Sequence, residues 1–579
     1  MKAPRKGLTA TAIAVVLASV VTGPAALAQA KRQVEHVLLL SIDGFHQQDL
    51  ARFVADNPIS ALAALSRHGI TYTNARTTTP SDSFPGMIAQ LTGGTPKTTG
   101  VYYDDSYDRT LFSPDPAGGC KGTPGTEVVL DESVDFDSTK LFSGGMNPAF
   151  LPQQLKNGGC TKVFPHDFLK VNTVFGVAHA AGLQTAWSDK HPTYDIVNGP
   201  FVGTPNVDDL YTPEINSNIF GQGGPASSNG VDLAAAAAKC DATNSTLFFG
   251  AITPVQYVDC APTVEAYDDT KVQAIINEID GKRSDGSLGT GKAPAIFGMN
   301  FQAVSVGEKL VVGGYDASLA PKPILAHAIA HTDASIGRMV KELIAKGLLD
   351  KTLIIVSAKH GQSPIDFSQL QMKSAATQAP DHTVVDPGSV IDAPVDVKQS
   401  TFMNPNSGNT YAQSGHLQTD DVGIVWLQPN GRSDLNSAVT SLLNNAAKIH
   451  ANVLQPGSIF NSNITSGDAL SDIFGDPTVP GSIAAARAPD IFIQPDHGVI
   501  YSGSKAKIAE HGGGSLDDTH VALLVAANFL DRAEVKDLVH TTQIAPSILR
   551  ALGLDPRALE SVRKEGTRVL PELFDNDDH

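Results

Sequence analysis

Five separated stretches of this 579-residue chain end apolar runs with groups able to hold a metal ion or an oxyanion: Val37–Asp43, Ser81–Gly86, Gln184–His191, Thr352–Gly361 and Glu510–Gly513. Asp43 directly follows the run Val37–Ile42. Its carboxylate only accepts, the ligand type for a hard or borderline divalent cation, and it would serve equally as a helix N-cap or a turn residue. Ser83 precedes Phe84-Pro85, where a helix is predicted to start with Ser83 as its N-cap and proline in its first turn. Unpaired N–H groups and the positive end of the helix dipole stabilise an alkoxide there, together with the phosphate or sulfate it attacks. A plain capping serine is the alternative. His360 and His511 flank strand ends, places that suit metal-ligating imidazoles and also structural or solvated ones. His520 reads as a buried residue behind the site.

Stretches so distant converge only if one sheet presents them at one edge. In an open α/β sheet, ligands sit beyond the carboxyl ends of the strands. Val37–Ile42 is the continuous apolar run of a strand covered on both faces, and Ile59–His68 has helical spacing. Further strands are predicted at Gln184–Ser188, Ala295–Met299, Thr352–Ser357 and Thr519–Ala526. Helices are predicted at Phe84–Leu91, Val174–Ala181, Pro323–Ala345 and Thr541–Leu552, and Asp333 is expected to face the sheet and orient a site residue. The fold class is therefore α/β, a mixed, largely parallel sheet sandwiched by helices. Insertions fall at about 110–170, 198–292 and 362–489, the last with a strand at Val422–Leu427 and a helix at Asp434–Ala451. No internal repeat occurs.

With 41% hydrophobic and 18% charged residues, the chain can bury a sizeable core. Its net charge of -18 is spread without long acidic or basic blocks, which argues against a nucleic-acid duplex as partner. Residues 1–30 read as a signal peptide: Lys2, Arg5 and Lys6, then apolar Leu8–Val21, then a small-residue cleavage site. Secretion or a periplasmic location is expected, with no membrane span in the mature chain of 31–579. Four cysteines suit that compartment, and pairing of sequence neighbours, Cys120 with Cys160 and Cys240 with Cys260, is the favoured of three connectivities.

The ordered set resembles the alkaline phosphatase superfamily, in particular its type I phosphodiesterase and nucleotide pyrophosphatase branch. The residues that carry the resemblance are Asp43, Ser83-Phe-Pro85, Thr99-Gly100 through Tyr107-Asp108, Lys359-His-Gly361, His511-Gly512, Asp518-Thr-His-Val521 and Gln543–Ile548. The resemblance implies an alkaline phosphatase-like catalytic domain and a site with two zinc ions about 4 Å apart. It places Asp43, Ser83 and His360 on the first ion, His511 on the second, and Lys190 on the phosphate.

Three departures alter that picture. Lys359 stands where the family has an aspartate ligand, the segment Met299–Val306 lacks the second ion's Asp and His, and Asp104 replaces a phosphate-contacting Asn. An ammonium group does not ligate a metal and repels one by several kcal/mol at an effective dielectric near ~20. Either a single divalent ion, zinc by the resemblance, is held by Asp43, Ser83, His360, His511 and Asp104, or Lys359 pairs with Asp43 or Asp104 and no catalytic metal binds. The expected activity is hydrolysis of small-molecule phosphate mono- or diesters by Ser83, with Lys190 and Lys359 on the non-bridging oxygens. A sulfatase-like single-metal enzyme and a non-catalytic anion- or glycan-binding protein are the alternatives.

Overall fold

The computed structural model describes residues 34–115, 117–200, 204–245, 254–372, 384–393, 395, 415–428, 433–455, 458–501 and 507–574. The signal peptide read at 1–30 lies outside them. Strand β1, His36–Ile42, is buried along its whole length. Alternation sends Leu38, Leu40 and Ile42 into one core and Val37 and Leu39 into another. The other strands of the two larger sheets are β2 (Gly69–Tyr72), β3 (Ala186–Ser188), β4 (Asp209–Tyr211), β5 (Ile296–Phe301), β6 (Thr352–Ser357), β7 (His416–Thr419), β8 (Gly423–Trp426), β9 (Ile464–Ser466), β10 (Ile491–Ile493), β11 (Leu523–Ala526) and β12 (Ala533–Val535).

Eight of these strands form the main sheet in the order β12-β2-β11-β6-β1-β5-β3-β4. Only β11 runs antiparallel to its neighbours β2 and β6; the remaining pairs are parallel. Five helices matter to the site: α1 (Ser83–Thr92), α2 (Ala261–Ile279), α3 (Ala303–Lys309), α4 (Pro323–Ala345) and α5 (Ile544–Ala551). On one face Phe84, Met87, Ile88 and Leu91 of α1 pack with Ile548 of α5 against Leu39 and Ile355. Their i, i+3, i+4, i+7 spacing is one stripe of a helix. On the other face Val272 and Ile275 of α2 and Ile336 and Met339 of α4 cover Leu38 and Phe297. The sandwich expected from the sequence is present.

Strands β7–β10 make a second, antiparallel sheet in the order β7-β8-β10-β9. It braces the loop that carries His511, because Asp421 accepts the Gly513 N–H (2.9 Å) and Gln494 accepts the Gly514 N–H (2.7 Å). Both expected disulfides are formed, Cys120–Cys160 and Cys240–Cys260. Among the described residues no helix is long and apolar enough to cross a membrane.

Several sequence readings need correction. Residues Leu516–Thr519 form a helical turn, so the last core strand starts only at Leu523. The helix expected to reach Ala451 ends at Asn444. Asp333 orients no site residue; its carboxylate accepts Leu62 N (2.7 Å) and Ala61 N (3.2 Å) at the start of helix Ala61–Arg67. Those N–H groups have no partner inside that helix, so an acid on the neighbouring helix satisfies them.

Candidate active site

Parallel register sets the height of the site residues. Ile42 of β1 lies opposite Phe301 of β5, and Ser41 lies opposite Ser357 of β6. Asp43, Gln302 and Lys359 therefore leave three adjacent strands at nearly one level. Met299 of β5 pairs with Ser188 of β3, which puts Asp189 and Lys190 on the next strand's end. Ser83 opens α1, and His511 lies on the loop tied to the second sheet.

Ser83 is the first residue of α1 and not its cap. Asp82 is the N-cap, with Oδ2 accepting the Phe84 N–H at 3.0 Å. A carboxylate outcompetes a hydroxyl for the orphan N–H groups at the positive helix end, and the serine hydroxyl is left free to turn outward. Ser83 Oγ lies 2.9 Å from Lys190 Nζ, 3.1 Å from His360 Nε2 and 3.5 Å from Asp43 Oδ2. His360 Nδ1 is 2.8 Å from the Gly361 carbonyl. A carbonyl only accepts, so Nδ1 carries the proton and Nε2 presents its lone pair to the serine. Burial pushes His360 down to about 3, Asp43 opposes the shift and Lys190 adds to it. The ring is neutral at pH 7, and Ser83 accepts from Lys190 while donating to His360.

Asp43 is wholly buried and faces donors. Its Oδ2 accepts Gln302 Nε2 at 2.6 Å, Lys190 Nζ at 3.2 Å and Asn300 Nδ2 at 3.3 Å, and Lys359 Nζ lies 4.0 Å away. Burial alone would raise this carboxyl; the positive charges of Lys359, Lys190 and His360 outweigh it and hold Asp43 well below the usual carboxylate range. Lys359, also fully buried, donates to Asp189 Oδ1 (2.9 Å) and Tyr194 OH (2.7 Å). Burial lowers its pKa against the pull of Asp189 and Asp43. Lys190 is pulled upward by Asp43, Asp189 and Asp82 despite its own burial.

The His511 ring lies 3.8 Å from the His360 ring, and its Nδ1, without a hydrogen-bond partner, is 3.6 Å from Asp82 Oδ1. Ser83, Lys190 and His511 thus face one hollow, and Asp43, Lys359 and His360 are fully buried directly behind them. Asp104 lines the adjoining cavity, is bonded to none of the six, and is pushed upward by burial and by Asp82.

The residues present do not fit a two-zinc centre. Lys359 stands where the resemblance expects an aspartate ligand, and its ammonium, 4.0 Å from Asp43 Oδ2, has no lone pair to give a metal, while Met299–Val306 offers neither a carboxylate nor a histidine and its Asn300 donates to Asp43. A dication placed 4 Å from an ammonium is repelled by about 8 kcal/mol at an effective dielectric near 20. Three clusters of described residues do place three ligand atoms within 4.8 Å of one another: His46–Asp49–Glu308, Asp105–Glu127–His416 and Glu132–His191–Glu214. None includes Asp43, Ser83, His360 or His511.

The hollow opens into a cavity of about 640 Å³, with Lys190, Lys309 and Lys507 on its wall beside Ser83 and with Glu132 and His191 at its rim. There His191 Nδ1 lies within hydrogen-bond distance of Glu214 Oε1 (2.9 Å). Burial pushes Glu214 up to about 8, Glu132 to about 7 and the neighbouring Asp135 to about 9. A carboxyl whose folded pKa exceeds its unfolded value gives stability that is complete below the unfolded value and is lost as pH rises through the folded one. Melting temperature should therefore fall between pH 5 and pH 9, and Glu214→Gln should flatten that fall. Calorimetric scans of both proteins across the range check it; parallel curves would refute the assignment.

Sequence reading missed the groups that hold the hollow together: Asp82, Asp189, Tyr194, Gln302, Lys309 and Lys507. Asp189 and Tyr194 sit within a few residues of Lys190, and a buried lysine at 359 itself demanded a carboxylate partner. Lys309 and Lys507 had no signal, since each comes from an element unremarkable in sequence.

Comparison with known proteins gives the same outline. The type I phosphodiesterase/nucleotide pyrophosphatase family matches residues 37–118 and 314–515. No curated protein matches the sequence. Among solved structures, an inactive variant of murine ectonucleotide pyrophosphatase/phosphodiesterase 5 in complex with AMP is similar at a TM-score of 0.51 and 13% identity, over 90% of this chain and 96% of that one. Wild-type alkaline phosphatase PafA is similar at a TM-score of 0.50 and 14% identity, over 90% and 96%. At such identities the likeness is one of fold.

Proposed function

This chain belongs to the type I phosphodiesterase/nucleotide pyrophosphatase branch of the alkaline phosphatase superfamily, and on that premise we propose that it is an exported phosphoric ester hydrolase whose nucleophile is Ser83. The observation that carries the reading is the setting of one hydroxyl. Ser83 Oγ, at the start of α1, donates to a neutral imidazole at 3.1 Å and accepts from an ammonium at 2.9 Å, on the wall of a polar cavity.

His360 Nε2 takes the hydroxyl proton as Oγ attacks phosphorus. The Oγ–P bond forms, the ester P–O bond opposite it breaks, and the departing oxygen keeps the electron pair and takes a proton from water. His360 passes the hydroxyl proton to solvent and is neutral again; a water molecule then attacks the phosphoserine, its oxygen bonds to phosphorus as its proton goes to His360 Nε2, and Ser83 Oγ leaves with the electron pair and takes that proton back. Lys190 and the first-turn N–H groups of α1 offset the charge that gathers on the non-bridging oxygens. The zinc ion implied by the resemblance enters none of these steps, because the donors around Asp43 do not fit it. Two disulfides and the apolar, basic-led N-terminal segment support export.

The test is a trapped intermediate. Wild type is mixed with an aryl phosphate monoester, an aryl phosphodiester, AMP or an aryl sulfate, quenched in acid and digested. A phosphoryl group on the peptide that holds Ser83 is the expected result, and the ester that leaves it names the substrate class. Sulfate on that peptide would favour the sulfatase reading. Turnover with label on another residue overturns the nucleophile, and neither turnover nor label with any ester leaves the protein a binder of anions.

A further inference from the structure

We propose that this protein carries out its chemistry with no metal ion, and that the two fixed ammonium groups of Lys190 and Lys359 supply the positive charge at the Asp43–Ser83 centre. This goes beyond the nucleophile assignment, on which it rests for the reaction itself; the charge arrangement stands on geometry alone.

Four observations converge on it. Lys359 does not merely replace a carboxylate; it comes with a built counter-ion. Asp189 Oδ1 receives Lys359 Nζ (2.9 Å) and the Lys190 N–H (2.9 Å), while Asp189 Oδ2 receives the indole N–H of Trp187 (3.0 Å). Tyr194 adds a second partner for Lys359, with OH at 2.7 Å and its ring 4.1 Å from the ammonium. A buried carboxylate with three donors is an arrangement made to keep one ammonium charged and still.

Asp43, the carboxylate left from the expected ligand set, is already surrounded on its Oδ2 side by Gln302, Lys190 and Asn300, with Lys359 4.0 Å away. The groups that reach Oδ2 all donate, and although Asp43 Oδ1 and Asn300 Oδ1 are buried without a hydrogen-bond partner, the ammonium of Lys359 4.0 Å from Asp43 repels a cation placed there. The residue four beyond Asn300 is Val304, fully buried in the apolar core beside Phe297 and Ile329, so the second ion's histidine has no polar substitute. Finally, the two carboxylates Asp43 and Asp189 balance the two ammonium groups, and an incoming phosphate monoester meets Lys190, bonded to Ser83, as its nearest cation. Lys190 is thus the group that touches the reacting phosphoryl oxygens, and Lys359 is a positioning residue acting through Asp43 and Asp189.

The experiment is metal analysis of the tag-free wild type after dialysis against zinc and then against metal-free buffer, paired with zinc titration calorimetry. Wild type is expected to keep less than about a tenth of an equivalent of zinc or manganese and to give no saturable heat. Its rate of Ser83 phosphorylation should change less than twofold after treatment with a chelator. Lys359→Asp combined with Asn300→Asp and Val304→His returns the missing donors, and that variant should retain zinc. Where the triple variant does not fold, Lys359→Asp alone is measured, with tighter zinc retention than wild type expected. About one equivalent of zinc or manganese retained by wild type overturns the inference, with or without activity. A metal-free protein that hydrolyses no ester leaves the charge replacement standing and removes the hydrolase reading; a zinc-bound active protein does the reverse.

Discussion

Replacing Ser83 with alanine is expected to lower kcat for the best aryl phosphate ester by about 10⁴-fold or more, the scale seen when a serine nucleophile is deleted. The loss should fall on kcat and kcat/KM alike, because cavity, lysines and helix N-terminus remain to bind the phosphate. Folding should be nearly unaffected. Ser83 Oγ is held by Lys190 and His360 and caps nothing, since Asp82 serves α1. Stopped-flow release of the aryl group with the phosphoserine trap reads the loss, and a melting temperature within a few degrees of wild type confirms an intact variant. Equal turnover by both proteins would remove Ser83 from the reaction. Lys190→Ala should cost about 10²–10³-fold, the usual effect of removing one preorganised charge, with its largest effect on kcat.

The second large effect is expected at a residue with no chemistry of its own. A Cβ on Gly86 would lie 2.2 Å from the Lys359 carbonyl oxygen, 2.8 Å from its carbon and 3.0 Å from its Cα. All three are backbone atoms of the turn after β6, so nothing flexible can yield. Glycine at 86 lets the first turn of α1 press against the strand end, and that contact holds Ser83 within 3.1 Å of His360. Gly86→Ala should destabilise the fold by about 3 kcal/mol, the upper part of the range for overpacking. It should also lower kcat by about 10²-fold, because a displacement near 1 Å at the nucleophile costs that much. Gly337→Ala is the control: it lies inside α4, and its nearest contact would be Ala61 Cβ at an ordinary 3.5 Å. There the higher helix propensity of alanine should give a neutral or slightly stabilising change of up to about 1 kcal/mol. Urea unfolding of the three proteins, with kcat measured on each, separates the cases; a Gly86→Ala protein as stable and active as wild type would show that this packing does not set the site.

What the amino-acid order determined by itself is the sheet, the helices that cover it and the identity of the groups at its edge. Continuous apolar runs such as Val37–Ile42 and Thr352–Ser357 have one cheap fate, a strand covered on both faces, and residues that directly follow such runs must emerge at a carboxyl edge. Asp43, Lys190, Lys359 and His360 were legible for that reason, as were α4 and both disulfides. Local patterns did not decide which residue does what at a shared position. Asp82 and Ser83 both cap helices well, and only the three-dimensional arrangement assigns the cap to the carboxylate and turns the hydroxyl toward Lys190 and His360. In the same way, a lysine in place of a ligand reads as a defect in sequence. Tertiary structure gives it Asp189 from a strand three places away and Tyr194 from the loop beyond, and so makes it a fixed charge. Strand order, which sets those neighbours, depends on contacts between segments about 170 residues apart, and no window of sequence contains them.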